Sequence, residues 1–423
     1  MRVVVIGSGI VGVTSAYLLL RLGHEVVVID REDEPGKKTT YANGGLLTPS
    51  MSAPWNSPGI WRELSRSLLN AGSAPVKVRL RALPHLAIWG ISFLRNSRRN
   101  LFERNALSNL NLARRSLQVM AVIAREAALE YGHAARGTLR IFRDEDSFGR
   151  ARDSATRSSE HGVDARVLTA KEVVDLEPAL APIARHLSGA VYYPGDQTGD
   201  ARRFCMALAR YAQRAGAAFY FSRDVHTLEV RGGRVVAARS NREAFVADHY
   251  VVAAGHESTQ LLRSLGIKVP VQPLKGYSVT FKCRPASPQL RIPVVDDGLH
   301  AAVTPLEGAV RVAGTAEFAG PDLTLDSKRT RSLVALLSMV LPAHAGGIDL
   351  PTQEAWCGLR AMSCDGVPVI GSTPIPNLFV NSGHGHLGWT LAAGSAELLS
   401  AVILNGKPMV DPARYALSRF EAS

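Results

Sequence analysis

Cysteine is scarce in this chain of 423 residues: there are four, Cys205, Cys283, Cys357 and Cys364, and no two stand in a C-x-x-C spacing. That excludes zinc ribbons and dithiol redox motifs, and without an export signal it predicts reduced thiols. Twelve histidines occur with no H-E-x-x-H or similar grouping, so no metal is expected. Long apolar runs are also missing. A spanning helix needs ~18 uninterrupted apolar residues, whereas Leu83 to Leu94 and Leu391 to Leu404 are short, and Glu397 interrupts the second. Val3 to Ile6 enters a glycine turn at once, which leaves no room for a signal peptide. The chain therefore reads as cytoplasmic, beginning with its first strand.

No internal repeat or low-complexity tract is present either. The length allows two or three domains and a large core. The net charge of +12 is uneven: from Trp61 to Arg115 there are eleven Lys and Arg against two Glu. No helix-turn-helix, zinc-finger or aromatic RNA-binding pattern accompanies this segment, so nucleic acid is not the expected partner. Arg62, Arg66, Lys77, Arg79, Arg81, Arg95, Arg98 and Arg99 alternate with Trp61, Leu64, Leu68, Trp89 and Phe93. Two readings stay open, a peripheral contact with an anionic membrane and a solvated helical face.

Along the chain, residues 1–31 read strand, glycine turn, helix, strand, and Thr39 to Gly59 reads as loop. Residues 61–132 are mostly helical by pattern. Gly137 to Phe142 and Gly189 to Tyr193 read as strands, and Asp144 to His161 as a helix. Asp200 suits the N-cap of a helix to about Arg214. Short alternating strands follow from Ala218 to Ala254, with a turn at Gly232-Gly233. Residues 270–320 are strands, Ser327 to Leu341 a helix, Leu378 to Asn381 a strand, and Trp389 to Leu404 the last helix.

Gly7-Ser-Gly-Ile-Val-Gly12 is the strongest local signal. A G-x-G-x-x-G alone is weak, but this one follows an apolar strand, opens a helix, and precedes Val26 to Asp30, a second strand ending in an acid. Gly7 would permit the tight turn, Gly9 the approach of a diphosphate, and Gly12 close helix–strand packing. Asp30 is placed to accept from an adenosine ribose and disfavours a 2′-phosphate. The motif does not separate FAD from NAD.

Further segments do. Ala42-Asn-Gly-Gly45, Ala53-Pro-Trp55, Leu176-Glu-Pro-Ala-Leu180, Thr198-Gly-Asp200, Pro273-Leu-Lys-Gly-Tyr-Ser278, Gly358-Leu-Arg360 with Asp365-Gly366, and Asn381-Ser-Gly-His-Gly-His-Leu-Gly-Trp-Thr390 follow in order. With the glycine fingerprint they resemble the bacterial D-amino-acid dehydrogenase (small subunit) family, within the FAD-dependent D-amino-acid oxidase superfamily, from Met1 to about Pro408. The resemblance implies an α/β fold: a Rossmann-like FAD-binding domain interleaved with an α+β substrate-binding domain carrying an antiparallel sheet. Domain bounds of 1–60, 190–272 and 355–423 for FAD, and 61–189 and 273–354 for substrate, are expected. Ala361, Ser363-Cys364 and His386 depart from the family pattern and bear on substrate preference.

The activity implied is oxidative deamination of D-amino acids to 2-oxo acids and ammonium, by hydride transfer from Cα to flavin N5. Electrons would pass to a quinone-type or other non-O2 acceptor of the respiratory chain. Oxidation of glycine, sarcosine or a hydroxy-D-proline, and a non-catalytic flavin-binding subunit, remain alternatives. By resemblance Arg360 clamps the substrate carboxylate, and a planar guanidinium suits that role. Tyr277 is a second substrate ligand or a core tyrosine; Lys275 is near the flavin or in a turn. The expected cofactor set is Val3, Ile6, Gly7, Ser8, Gly9, Ile10, Val11, Gly12, Asp30, Arg31, Asn43, Gly44, Gly45, Gly255, Arg360, Gly383, His384, Gly385, Leu387, Gly388, Trp389 and Thr390. Trp55, Trp389 and Asp200 also have packing or capping readings. His386 is open to a solvent-facing reading, and Cys357 is the residue to watch for a covalent flavin link.

Overall fold

The computed structural model describes residues 1–69, 76–79, 83–283, 289–342 and 354–421. Val3, Val4 and Val5 on Arg2–Ile6 and Val26, Val27 and Val28 on Glu25–Ile29 are buried on both faces. Near-continuous apolar strands of this kind form the centre of a parallel sheet. Six strands join in the order Val369–Ser372, Leu378–Ser382, His249–Val252, Arg2–Ile6, Glu25–Ile29, Ala218–Tyr220. All pair in parallel except the first, which is antiparallel to Leu378–Ser382. Helices Ile10–Arg21 and Gly388–Ile403 pack on one face of it.

A second sheet of nine strands is mostly antiparallel. Its path runs Glu354–Ser363, Val271–Lys282, Ala309–Phe318, Ala301–Leu306, Val294–Asp296, Thr138–Phe142, Gly189–Tyr193, Arg166–Leu168. Val76–Val78 joins it beside Ala309–Phe318, so the segment expected to be mostly helical also carries a short strand between helices Ile60–Leu69 and Leu83–Arg95. A small hairpin sheet turns at Gly232 and Gly233, both at positive φ, as a two-residue turn requires.

We place the seam between the two units differently from the expected bounds. Glu354–Ser363 and Gly189–Tyr193 lie in the second sheet, although 355–363 and 190–193 were grouped with the FAD-binding part. Helix Arg99–Glu126, grouped with the substrate part, packs on Gly388–Ile403 instead. There Gly394 lets the helices approach: a Cβ would lie 2.8 Å from the Leu112 carbonyl oxygen. Arg115 and Glu397 add a two-pronged ion pair at 2.6 Å. We therefore draw the first unit to include 99–126 and exclude 354–363.

Several motif residues are scaffold. The Glu177 carboxylate is fully buried and accepts from the N–H groups of Arg291 and Ile292 at 2.8 Å, tying its turn to the second sheet. Asp200 caps its helix by accepting from Arg202 and Arg203 N–H. Asp365 pairs with Arg419, and Gly366 at φ +74 packs on Pro54.

Candidate active site

The glycine turn lies where the first sheet meets a cavity. Gly7 and Gly12 are demanded by the fold itself: a Cβ on Gly7, at φ +109, would stand 2.5 Å from the Ala253 oxygen, and one on Gly12 would stand 1.9 Å from the Gly7 oxygen. Gly9 differs. A Cβ there would meet only the Thr40 hydroxyl, at 3.7 Å, so the protein leaves that space for something else. Gly9 N-caps helix Ile10–Arg21 without a side-chain cap, so the helix start offers N–H groups toward the cavity. Asp30 accepts from the Ser8 N–H at 2.5 Å and hydroxyl at 2.7 Å through one oxygen, and from Glu32 N–H through the other. It braces the turn as well as lining the cavity.

The cavity is continuous and holds about 1260 Å³, more than the ~300–1,000 Å³ of a typical small-molecule pocket. At one end Arg31 pairs with Glu257 beside His256, whose burial and neighbouring Arg31 and Lys38 hold its pKa down to about 4. In the middle, loop Ala42–Gly45 is sewn to the second sheet. The Ser278, Thr304 and Arg311 side chains donate to the Ala42, Gly44 and Asn43 carbonyls at 2.7, 2.7 and 3.1 Å.

Across from this loop stands Arg360, on Glu354–Ser363. Its guanidinium lies 5.5 Å from the Trp55 ring centroid. Burial lowers its pKa to about 10, so it remains a cation at neutral pH. Nη1 has no hydrogen-bond partner, and no carboxylate pairs with this arginine among the described residues. A buried, unpaired cation on a cavity wall is costly unless an anion joins it.

Tyr277 lines the same wall, but its hydroxyl donates to the fully buried Glu317 at 2.9 Å. Glu317 is also bound by Arg79 at 2.6 Å. Lys275 is buried, donates to the Thr324 carbonyl and lies over the Tyr277 ring, away from the cavity lining. The Cys357 thiol donates to the Leu323 carbonyl at 3.1 Å, and burial raises its pKa.

The C-terminal loop closes the site. Gly385, at φ +57, lets the chain pass Met362 closely enough that a Cβ would come 3.0 Å from the sulfur. His384 Nε2 bonds the Ser395 hydroxyl at 2.9 Å, and burial depresses its pKa to about 3. His386 is half-buried and lines the cavity. Its Nε2 lies 3.2 Å from the Met51 carbonyl, and its ring meets Trp55 at a tilt, centroids 5.4 Å apart.

Of the expected cofactor residues, Ile6, Gly7, Gly9, Ile10, Val11, Asp30, Arg31, Asn43, Gly44, Gly45, Gly255, Arg360, His384, Gly385, Gly388 and Trp389 line this one cavity, as does Tyr277. Val3, Ser8, Gly12, Gly383, Leu387 and Thr390 stand behind it. Val3 and Leu387 are sheet and helix core, and Thr390 accepts from the Thr48 N–H at 3.2 Å. Sequence reasoning missed Met51 and Trp356, and it quoted Gly276 and Gly358 within motifs without a role. These two are register partners on neighbouring strands and leave the sheet bare beneath Arg360 and Trp356. Only spatial pairing reveals them.

A dinucleotide-binding βαβ unit opening on a cavity shared with an antiparallel sheet defines a flavin-type oxidoreductase. Residues 2–402 match the DAO family of FAD-dependent oxidoreductases, and the chain belongs to that family. It is 36% identical over 420 residues, 99% of this chain and 100% of the other, to the D-amino acid dehydrogenase of Vibrio vulnificus (strain CMCP6). In fold it is similar to L-proline dehydrogenase from P. horikoshii, with a TM-score of 0.78 at 20% identity, covering 100% of this chain and 98% of that one. Glycine oxidase from Geobacillus kaustophilus gives 0.79 at 20% identity over 99% of each chain. The residues fit FAD: the space above Gly9 and the cavity's size suit a dinucleotide-sized ligand.

Proposed function

We propose that this enzyme deaminates D-amino acids oxidatively to 2-oxo acids and ammonium. The observation that carries the reading is Arg360, a cavity-lining cation with no carboxylate paired to it among the described residues. It receives the substrate carboxylate and thereby fixes Cα. FAD, when bound, supplies the two-electron acceptor for the hydride that leaves Cα. As the Cα–H pair departs, the lone pair of the neutral amine forms C=N; water then converts the iminium to the 2-oxo acid and releases ammonium. Tyr277 shapes the wall through its ring, since its proton is held by Glu317. The choice of D-amino acids is supported by the similarity to the Vibrio dehydrogenase over the full chain.

The test is anaerobic bleaching of the bound flavin by a panel of D-amino acids, their L-enantiomers, glycine, sarcosine and cis-4-hydroxy-D-proline. D-Amino acids should bleach fastest. Faster bleaching by another amine would move the assignment to it, and no bleaching by any would leave a non-catalytic flavoprotein.

The acceptor we propose is quinone-type and membrane-borne. Among the described residues no helix is long and apolar enough to cross a membrane, so the contact would be peripheral. Trp89 and Phe93 do not serve it: they stack on each other in the core, and Arg79 turns inward to Glu317. Leu68, Arg66, Lys77 and Arg81 fall outside the described side chains. The reading is supported instead by Trp61, Ile88, Ile91 and Leu94, exposed by 56%, 84%, 62% and 41% beside Arg62, Arg95 and Arg98. Co-sedimentation with phosphatidylglycerol vesicles, lost at high salt, is expected; equal binding to phosphatidylcholine would count against the charge contribution.

A further inference from the structure

His386 sits where the family pattern has threonine, and its surroundings give the ring a definite orientation. Met51's carbonyl can only accept, so Nε2, 3.2 Å away, carries the ring proton, and Nδ1 is left with a lone pair. Nδ1 has no hydrogen-bond partner among the described residues. Burial, and then the charge of Arg360, keep the imidazole neutral despite the Met51 bond, with its pKa near 4. Trp55 is the common wall: the His386 ring meets it at a tilt of 32°, centroids 5.4 Å apart, and Arg360 lies 5.5 Å from the same ring centroid. Both residues line the cavity.

An α-amino acid presents its amino group one carbon from its carboxylate. A carboxylate on Arg360 therefore requires an acceptor for N–H on the same stretch of wall. Of the carboxylates lining the cavity, Asp224 lies beside Glu257 at the Arg31 end, and others are engaged elsewhere: Asp297 pairs with Arg140, Asp296 with Arg143, and Asp30 with Ser8. Glu32 and Glu257 pair with Lys38 and Arg31. The Tyr277 hydroxyl is committed to Glu317. A neutral acceptor also suits the chemistry, because a carboxylate would hold the amine as ammonium and withhold the lone pair that hydride departure needs.

We propose that His386, through Nδ1, binds the substrate's amino group and so makes the site select amino acids over the corresponding carboxylic acids. The inference rests on the deamination reading above. The holoenzyme is titrated anaerobically with D-alanine, read by the dependence of flavin reduction on concentration, and with propionate, read by the flavin's visible spectrum. His386→Gln keeps a donor for Met51 and loses the δ-position acceptor, whereas His386→Asn keeps an acceptor near the Nδ1 position. His386→Gln should weaken D-alanine about tenfold, one hydrogen bond's worth, with propionate affinity within about twofold of wild type, and His386→Asn should retain most of the D-alanine affinity. Parallel losses for both ligands, an unchanged His386→Gln, or an Asn variant as impaired as the Gln variant would each overturn the assignment. Failure of wild type to be reduced by any amino acid would instead overturn the deamination reading, and the propionate titration separates the two failures.

Discussion

The Arg360 guanidinium rests on the bare backbone of Gly276: a Cβ at position 276 would stand 2.5 Å from its Cζ and Nη2 and 2.8 Å from Nη1. Gly276 pairs in register with Gly358, two residues before Arg360 on the edge strand. The Arg360 side chain lies over Gly276, and Trp356 lies over Gly358. Gly276 has no left-handed φ, so alanine strains no backbone there; it only evicts the guanidinium.

Gly276→Ala should consequently raise KM for the amino acid about tenfold or more while leaving FAD content unchanged, an overpacking effect of ~1–3 kcal/mol. Arg360→Ala should cost ~2–5 kcal/mol of substrate affinity, and Arg360→Lys should recover little because it lacks the planar fork. Steady-state kinetics alongside the 450 nm absorbance check both. Wild-type kinetics in Gly276→Ala would mean that the guanidinium's position does not matter to turnover.

Tyr277 leads to the opposite expectation. Burial, then the hydrogen bond to Glu317, raise the phenol pKa well above its usual value, so it stays protonated and its single proton stays on Glu317. Tyr277→Phe should cost ~1–3 kcal/mol of stability by leaving a buried carboxylate short of a donor, with KM changed less than about threefold. Urea unfolding and KM, measured together, decide. A tenfold rise in KM at unchanged stability would restore the tyrosine as a substrate ligand.

These two residues also show how far the sequence could be read. Local patterns carry the βαβ unit, the Asp200 cap and the Gly232-Gly233 turn, because each is written within a few neighbouring residues. The side chains brought to the cavity from distant segments were legible only through ordered family motifs, and those motifs mix ligands with scaffold. Glu177 and Asp365 recur in them for buried hydrogen bonds, as sequence position alone does not reveal. Gly276 beneath Arg360, and His386 turned inward onto Met51 and Trp55, depend on strand register and loop packing. The basic segment misled for a related reason: alternation of Arg with aromatics does not say that Trp89 and Phe93 face the core.

The glycine fingerprint separates cofactor loss from fold loss. Gly9→Val should yield a folded protein that purifies nearly colourless, because the protein places only the Thr40 hydroxyl near that Cβ. Gly12→Val should fail to fold, because its Cβ would collide with the Gly7 carbonyl. Circular dichroism with the 280/450 nm absorbance ratio distinguishes them. A yellow, wild-type-like Gly9→Val would place the diphosphate elsewhere.

Asp196 should make the enzyme less stable as pH rises through neutrality. Its carboxylate is 2% exposed and accepts from the Ser50 N–H and hydroxyl at 3.2 and 2.5 Å. Burial outweighs these bonds and lifts the pKa to about 7. In the unfolded chain it titrates near ~3.9, so between those values the folded state binds the extra proton. Stability therefore falls as pH climbs from about 4 to about 7, and the full cost, roughly 4 kcal/mol as an upper bound, is present above that window. Asp196→Asn keeps an acceptor for Ser50 and cannot ionise. Its urea midpoint should exceed wild type at pH 8 and approach or fall below it at pH 5. Parallel stability curves for the two proteins across pH 5–8 would show that Asp196 does not retain its proton in the fold.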